Sequence, residues 1–236
     1  MTVNAKQNPL FDPFIAQPCN EEIEVLFQDE HMLLINKPTK LLSLSGKNPA
    51  NLDSVHYRLR QHFPSALMIH RLDLGTSGIM MIALSKDIST KLNRQFSERQ
   101  VNKTYTALLA GHIQQKQGLI ELPIAKGEFP HQKICYNTGK SALTEYTALA
   151  YEIHTDESNN QHPVTRVRYK PHTGRTHQLR IHSQQIGHPI IGCDLYPSLD
   201  GSTIQMAKRL MLHATSLEFN HPSSGERILA RCDCHF

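Results

Sequence analysis

Short apolar runs separated by polar turns recur along most of the chain and predict a protein built mainly from strands. The segment 23–38 carries two such runs on either side of Gln28-Asp29-Glu30, which predicts a β-hairpin. The run 78–84 is apolar throughout, so we expect a strand that is buried on both faces. Further strands are predicted at 103–111, 143–153, 165–171, 209–219 and 226–232.

Three segments between these strands are predicted to be helices. The first two, 51–63 and 85–100, space their apolar residues as an amphipathic helix does, and the third is 176–187. Their expected N-caps are Asp53 or Ser54, Ser85 and Thr176, respectively. Many strands with irregularly placed helices favour an α+β fold, with a mixed, mainly antiparallel sheet and flanking helices.

The first twenty residues are polar, contain prolines and have no apolar period. We therefore predict a flexible N-terminal arm at 1–20, followed by a single domain at 21–236. A chain of 236 residues that is 39% hydrophobic can bury a core of that size.

The charge is mildly positive overall, with 25 Lys and Arg against 21 Asp and Glu, but it is unevenly distributed. The window 158–193 contains five Lys or Arg and five His, and it has no Asp or Glu. Such a window is either a solvated basic face or a surface that binds a polyanion. We favour the second interpretation because the basic residues flank a glycine turn.

The cysteine pattern and the hydropathy indicate a cellular location. The five cysteines are scattered without a Cys-x-x-Cys pair, so neither a zinc ribbon nor a thioredoxin-type site is predicted. The chain shows no signal-peptide core and no run long enough to span a membrane. We expect a soluble cytoplasmic protein with reduced thiols and, without a zipper pattern, a monomer.

Common cofactor motifs are absent from the sequence. It has no phosphate-binding P-loop, no G-x-G-x-x-G turn, no H-E-x-x-H pair and no G-x-S-x-G elbow. His177 and His182 are five residues apart and do not share a helical face. We therefore expect no cofactor and no metal site.

Three segments carry residues suited to chemistry. HRLDLGTSG (70–78) places Asp73 before a turn of small residues, where it is either a reactive carboxylate or a cap for the backbone N–H groups of the turn. KTYTAL (103–108) places Tyr105 in a strand, where a single aromatic is ordinarily structural. KPHTGRTHQLRIH (170–182) has a glycine turn flanked by arginines, which taken alone is a basic helix face.

Taken together, these segments resemble the motifs of the RluA-type pseudouridine synthases. INKP (35–38), GHPIIGCDLY (187–196) and RLMLHA (209–214) also match landmarks of this family, in order and spacing over about residues 23–230. The similarity is greatest to the short, dual-specificity members, in part through 122–146, and no S4-like RNA-binding segment precedes Ile23. The resemblance implies the pseudouridine synthase catalytic fold and isomerisation of uridine in structured RNA.

The resemblance also implies roles for single residues. Asp73 is expected to be the catalytic carboxylate, Arg180 its guanidinium partner, and Tyr105 a surface that stacks on the target base and can act as a general base near C5. Arg71 is expected to fill the gap left by an extruded uridine, assisted by His70. The remaining RNA contacts are expected at Lys170, Arg175 and His177.

Two other classes of protein remain open at this point. A non-catalytic RNA-binding module would explain the basic window, although it gives no reason for Asp73, Tyr105 and Arg180 together. A metal-free hydrolase with an aspartate nucleophile is a further alternative, for which the sequence shows no second carboxylate nearby. The expected RNA partners are the anticodon stem-loop of a tRNA, a hairpin of large-subunit rRNA, or both.

Overall fold

The structure is a computed structural model that describes residues 14–236. Ten strands of this part form one sheet, in the order β1-β2-β4-β11-β5-β10-β9-β6, with β12 beside β11 and β3 beside β4. The strands of the sheet are β1 Glu24–Gln28, β2 Met32–Lys37, β3 Leu67–Met68, β4 Ser77–Ala83, β5 Asn102–Ala110, β6 Gln117–Glu121, β9 Leu143–Thr155, β10 Gln161–Pro171, β11 Leu212–Asn220 and β12 Arg227–Arg231. A separate hairpin consists of β7 Ile124–Lys126 and β8 Gln132–Ile134.

The sheet is antiparallel except where β11 runs parallel to β4. Every residue of β4 is buried, as its apolar run predicts, because strands flank it on both edges and it packs against the helix that follows it. The predicted mixed, mainly antiparallel α+β fold is confirmed. The short strands β3, β6, β7 and β8 were not predicted, since their apolar runs are brief.

The helices are α1 Val55–Arg60, α2 Lys86–Ser97 and α3 Gln178–Gln185, and short 3-10 turns lie at Pro49–Asn51 and Ser202–Ile204. Ser54 and Ser85 cap α1 and α2 by accepting backbone N–H groups, as predicted. The predicted cap at Thr176 is wrong. The cap position of α3 is His177, whose left-handed backbone (φ 57°) turns the chain into the helix without a side-chain cap.

Residues 14–20 are held against the domain, although they fall within the predicted arm. Asn51 binds Phe14 and Ala16 through its side-chain amide, at 2.7 and 2.8 Å. Cys19 is buried, and its carbonyl accepts a hydrogen bond from Arg58. Polar contacts rather than an apolar period attach residues 14–20, and the division into an arm at 1–20 and a domain at 21–236 stays a prediction. Residues 1–13 lie outside the described part of the chain.

Two hydrophobic clusters lie along the sheet, one around β2, β4, α1 and α2 and the other around β5, β10 and α3. Tyr105 packs against both clusters and so marks the boundary between them. No helix within residues 14–236 is long and apolar enough to cross a membrane.

Gly78 allows β11 to approach β4 closely. Its φ is +113°, and a Cβ at this position would lie 2.3 Å from the backbone oxygen of Ala214. Gly78→Ala is expected to lower the free energy of unfolding by at least about 3 kcal/mol, since backbone strain and overlap add. Gly187→Ala is the matched control: φ is +80° there but no atom lies within 4 Å, so about 1 kcal/mol is expected. Urea unfolding measures both, and equal losses would contradict the close approach.

Candidate active site

The loop that carries Asp73 is anchored by a buried lysine from the end of β2. Lys37 is fully buried, and its Nζ donates hydrogen bonds to the carbonyl oxygens of Pro38, Leu74 and Thr76 at 2.8, 3.2 and 2.8 Å. Burial lowers the pKa of Lys37 to about 7, and the negative charge of Asp73 is among the influences that oppose this shift. The three donors of an ammonium group are thereby matched to three acceptors, one in the residue next to Lys37 and two in the part of the loop that follows Asp73.

Two hydroxyl groups complete the anchoring of this loop. Thr39 donates to the carbonyl oxygen of Gly75 at 2.8 Å. Ser43 donates to the carbonyl oxygen of Leu72 at 2.7 Å and lies 3.1 Å from the N–H of the same residue. The backbone on both sides of Asp73 is therefore fixed by side chains of residues 37–43, so the position of the carboxylate is set before any substrate binds.

The Asp73 carboxylate takes no part in the hydrogen bonds that anchor the loop. The N–H of Thr76 donates to the backbone oxygen of Asp73, at 3.1 Å, and no described residue donates a hydrogen bond to the carboxylate. The Asp73 side chain is one-quarter exposed. Two nitrogen atoms of basic side chains lie near its Oδ2 atom, Arg180 Nη1 at 3.8 Å and His177 Nε2 at 4.0 Å. The structure does not support the alternative in which this side chain caps the turn.

Arg180 approaches Asp73 but binds another carboxylate more closely. Its Nη2 lies 2.5 Å from Asp194 Oδ1, its Nε lies 3.4 Å from Cys193 Sγ, and its guanidinium sits 5.4 Å from the centre of the Tyr196 ring. Burial opposes the charge, but Cys193, Asp73 and Asp194 outweigh it, and the pKa of Arg180 is raised. Arg180 is thus a fixed cation between two carboxylates, those of Asp73 and Asp194.

His177 faces Asp73 rather than the outer surface. Its Nδ1 lies 2.8 Å from the Tyr196 hydroxyl, and that hydroxyl accepts the backbone N–H of Gln132 at 2.7 Å. The hydroxyl proton of Tyr196 is therefore placed to be donated to Nδ1, which leaves an N–H at Nε2 pointing to Asp73. Burial lowers the pKa of His177, with Asp73 acting against the shift. The neutral imidazole is the form that this arrangement favours.

Tyr105 forms the floor of the site. It lies in β5 beside β11 and β10, opposite Ala214 and Tyr169. Burial, and then the charge of Asp73, raise the pKa of the Tyr105 phenol well above its ordinary value. A phenol in this environment stays protonated at neutral pH, which suits a stacking surface better than an ionised base.

A cleft of about 380 Å³ brings these groups together. Besides Asp73, Tyr105, His177 and Arg180, its lining includes three more of the residues predicted from sequence, namely His70, Arg71 and Arg175. The Arg71 side chain is exposed and forms no ion pair with another described residue. Arg175 is half-buried and donates to the carbonyl oxygen of Ser141 at 3.0 Å.

His70 lines the cleft but is engaged by the protein. Its Nε2 accepts the backbone N–H of Met81 at 3.0 Å, and its ring stacks on Phe96 at 5.0 Å. Burial, and to a lesser extent the charge of Lys103, lower the pKa of His70 to about 3. The ring is therefore neutral and does not offer a positive charge to RNA, which weakens the RNA-binding role predicted for it.

Lys170 is not in this cleft. It lines an adjoining groove of about 260 Å³, which shares Lys103 and Arg175 with the cleft. Much of the predicted basic window is used elsewhere: Arg166 pairs with Glu152, and His182 is buried against Thr144 and Leu122. The window as a whole is therefore not one RNA-binding face, because Arg166 is held by Glu152 and His182 is buried inside the protein.

Comparison with known proteins decides which family this fold and cleft represent. A family model described as RNA pseudouridylate synthase matches residues 31–185. The chain is 44% identical over 214 residues to the dual-specificity RNA pseudouridine synthase RluA of Yersinia pestis, covering 90% of this chain and 99% of the relative. It is 40% identical over 231 residues to the protein of that name from Escherichia coli K12, covering 97% of each.

The chain belongs to the RluA-type RNA pseudouridine synthases. Members of this family are isomerases, and this chain is one of them, which sets aside the hydrolase and the non-catalytic RNA-binding module. Among solved structures, the human RNA pseudouridylate synthase domain containing 1 superposes with a TM-score of 0.76 at 30% identity, covering 92% of this chain and 86% of that one.

Sequence reasoning missed three residues that organise this synthase site. Lys37 and Tyr196 lie in the segments INKP and GHPIIGCDLY, which the family resemblance singled out without giving either residue a role. Asp194 in the second segment binds Arg180. A lysine at the end of a mostly apolar strand was the available signal for Lys37, since a cation that becomes buried there requires partners.

Lys37→Met is expected to lower the free energy of unfolding by about 2–3 kcal/mol, because it leaves carbonyl groups of the Asp73 loop unpaired. Isomerase activity should fall at least tenfold while RNA affinity stays within about threefold, since Lys37 is buried and cannot contact RNA. The exposed Lys47→Met is the control. Chemical unfolding, a binding titration and a single-turnover assay test this, and unchanged single-turnover rates would contradict the anchoring role.

Proposed function

We propose that this synthase isomerises uridine in structured RNA with Asp73 as the essential catalytic group. In the reaction the N1–C1′ bond breaks, uracil turns, and C5 bonds to C1′, so atoms are conserved. A carboxylate is needed to stabilise or capture the positively charged sugar carbon, or to help remove a proton. The observation that carries the proposal is that Asp73 is the one carboxylate among the described residues that line the cleft, and it is held open there beside Arg180 and His177.

The target uridine would be extruded from its RNA loop into the cleft. Extrusion costs a few kcal/mol of lost stacking, and Tyr105 on the floor offers an aromatic face that returns part of it. Arg71, exposed beside Asp73 and without an ion-pair partner in the described chain, would fill the space that the base leaves. The raised pKa of Tyr105 supports a stacking role ahead of the general-base role.

The RNA backbone would contact Arg71, Arg175 and Lys170, which line the cleft and the adjoining groove. His177 is better assigned to the neighbourhood of Asp73 than to a phosphate. His70 would support the loop through its bond to Met81 rather than bind RNA.

Substrate choice is proposed from the relatives, whose names describe dual specificity. We propose that the substrates are the anticodon stem-loop of tRNA, a hairpin of large-subunit rRNA, or both, modified in the cytoplasm by a monomer. Mapping pseudouridine in total RNA from cells with and without the gene tests this. Pseudouridine sites that are missing from tRNA or from rRNA in cells without the gene would identify the substrate. If no site is missing from either class of RNA, the proposal is contradicted.

Asp73→Asn is expected to reduce single-turnover isomerisation at least a thousandfold while RNA affinity changes less than about threefold. The amide keeps the shape of the side chain but loses its charge and nucleophilicity. Asp87→Asn is the control, because the Asp87 side chain is 71% exposed, pairs with Lys91 and lies outside the cleft lining. Turnover of Asp73→Asn within tenfold of the wild type would remove Asp73 from the chemistry.

Arg180→Ala is expected to move the acidic limb of the single-turnover pH profile to higher pH. The guanidinium lies 3.8 Å from the Asp73 carboxylate, so its removal takes away a cation that stabilises negative charge in the cleft. Arg180→Lys should restore part of the activity, since it returns the charge without the planar geometry. Arg175→Ala should weaken binding and leave the limb in place. An unmoved limb in Arg180→Ala would make Arg180 a phosphate ligand instead.

A further inference from the structure

The groove beside the catalytic cleft is strongly basic. Its lining includes Arg99, Lys103, Lys170 and Arg175, and no Asp or Glu of the described chain lines it. Arg99 has a left-handed backbone (φ 58°) directly after α2. Lys103 and Arg175 also line the catalytic cleft, so the two cavities adjoin along a shared basic wall. Like charges gathered without acidic partners repel one another unless an anion binds between them.

Lys103 is the least compensated of these cations. It is half-buried in β5, and its side chain forms no hydrogen bond or ion pair with another described residue. Its Nζ lies 3.6 Å from the place where a Cβ of Gly174 would be, so the absence of a side chain at Gly174 keeps the space around the ammonium open. Burial lowers the pKa of Lys103, and no carboxylate is near enough to offset this.

Lys37 is a lysine with a purely structural role, and its hydrogen-bond partners can be compared with those of Lys103. That ammonium is also buried, but each of its three donors has a carbonyl acceptor within 3.2 Å. Lys103 has no such acceptors in the described chain. A desolvated cation without a partner is costly, and the cost is recovered when an anion arrives.

The position of Lys103 relative to Tyr105, on which the target base is proposed to stack, indicates which anion binds the ammonium group. Lys103 and Tyr105 are two residues apart in one strand, so they project to the same side and their Cα atoms are separated by roughly 7 Å. A nucleotide whose base stacks on Tyr105 and whose C1′ faces Asp73 places a flanking phosphate at about that distance. The ammonium is a compact point charge suited to a phosphate oxygen.

We propose that Lys103 binds the phosphodiester next to the extruded uridine, and that the groove formed with Lys170, Arg175 and Arg99 carries the RNA backbone onward from it. This rests on the proposed function, because the position of the base is taken from it. Lys103 is then a substrate-positioning residue: it holds the phosphate and does not touch the reacting atoms.

The test uses the full-length enzyme and a uridine-containing anticodon stem-loop RNA that the wild type converts. Lys103→Gln should weaken binding about tenfold and reduce the slope of log affinity against log salt by roughly 0.7, the contribution of one neutralised phosphate of single-stranded RNA. At saturating RNA the single-turnover rate should stay within about threefold. Lys103→Arg should recover most of the affinity. The exposed Lys86→Gln, outside both cavities, should change neither quantity.

A set of RNAs with one uncharged methylphosphonate linkage each identifies the phosphate. Neutralising a linkage next to the target uridine should weaken wild-type binding, and Lys103→Gln should then cause no further loss. At linkages far from the target uridine, the affinity lost through the methylphosphonate and the affinity lost through Lys103→Gln should add. Additive losses at every linkage, or an unchanged salt slope in a folded Lys103→Gln protein, would overturn the assignment. Failure of the wild type to convert any uridine RNA would instead refute the proposed function, so the two failures are distinct.

Discussion

The ammonium group of Lys37 and its three carbonyl acceptors hold the loop that carries Asp73 in place. A single buried donor group connects the end of β2 to both sides of the turn that follows Asp73. Because each N–H has an acceptor, the cost of burying the ammonium group is reduced, whereas removal of the lysine would leave the carbonyl groups without partners. Thr39 and Ser43 add bonds to neighbouring backbone groups of the loop. The loop is thus bound through its backbone, and the Asp73 carboxylate needs no structural hydrogen bond of its own.

The electrostatics of the site follow from this division of roles. Arg180 is kept charged by its surroundings and is oriented by Asp194 and the Tyr196 ring, so it acts on Asp73 at 3.8 Å without a direct hydrogen bond. Tyr196 also positions His177 and accepts the backbone N–H of Gln132 from β8. The short β7–β8 hairpin is therefore connected to the Asp73 carboxylate through two side chains, Tyr196 and His177.

Charges at the mouth of the cleft are arranged differently from those in its interior. Inside, each of Arg180 and Lys37 has protein acceptors, whereas Arg71 and Lys103 at the opening have no ion-pair partner in the described chain. Partnered cations maintain the geometry of the site in the absence of substrate. Unpartnered cations at the opening are available to phosphate groups, which agrees with binding of an RNA backbone at that edge.

The sequence by itself determined the class of fold, the hairpin at 23–38, the Ser85 cap, the buried strand β4 and the family, because these depend on local periodicity and on motifs contiguous in the chain. It left the cap of α1 open between Asp53 and Ser54, and the structure decided for Ser54. It also nominated Asp73, Tyr105 and Arg180, and the cleft contains all three. It did not determine the role of Lys37, the pairing of Arg180 with Asp194 or the attachment of residues 14–20, and it misassigned the cap of α3. These features join residues far apart in sequence, as with Lys37 and Thr76, or depend on which side of a strand faces the cleft. Only the tertiary structure decided them, because a long-range hydrogen bond leaves no periodic signal in the chain.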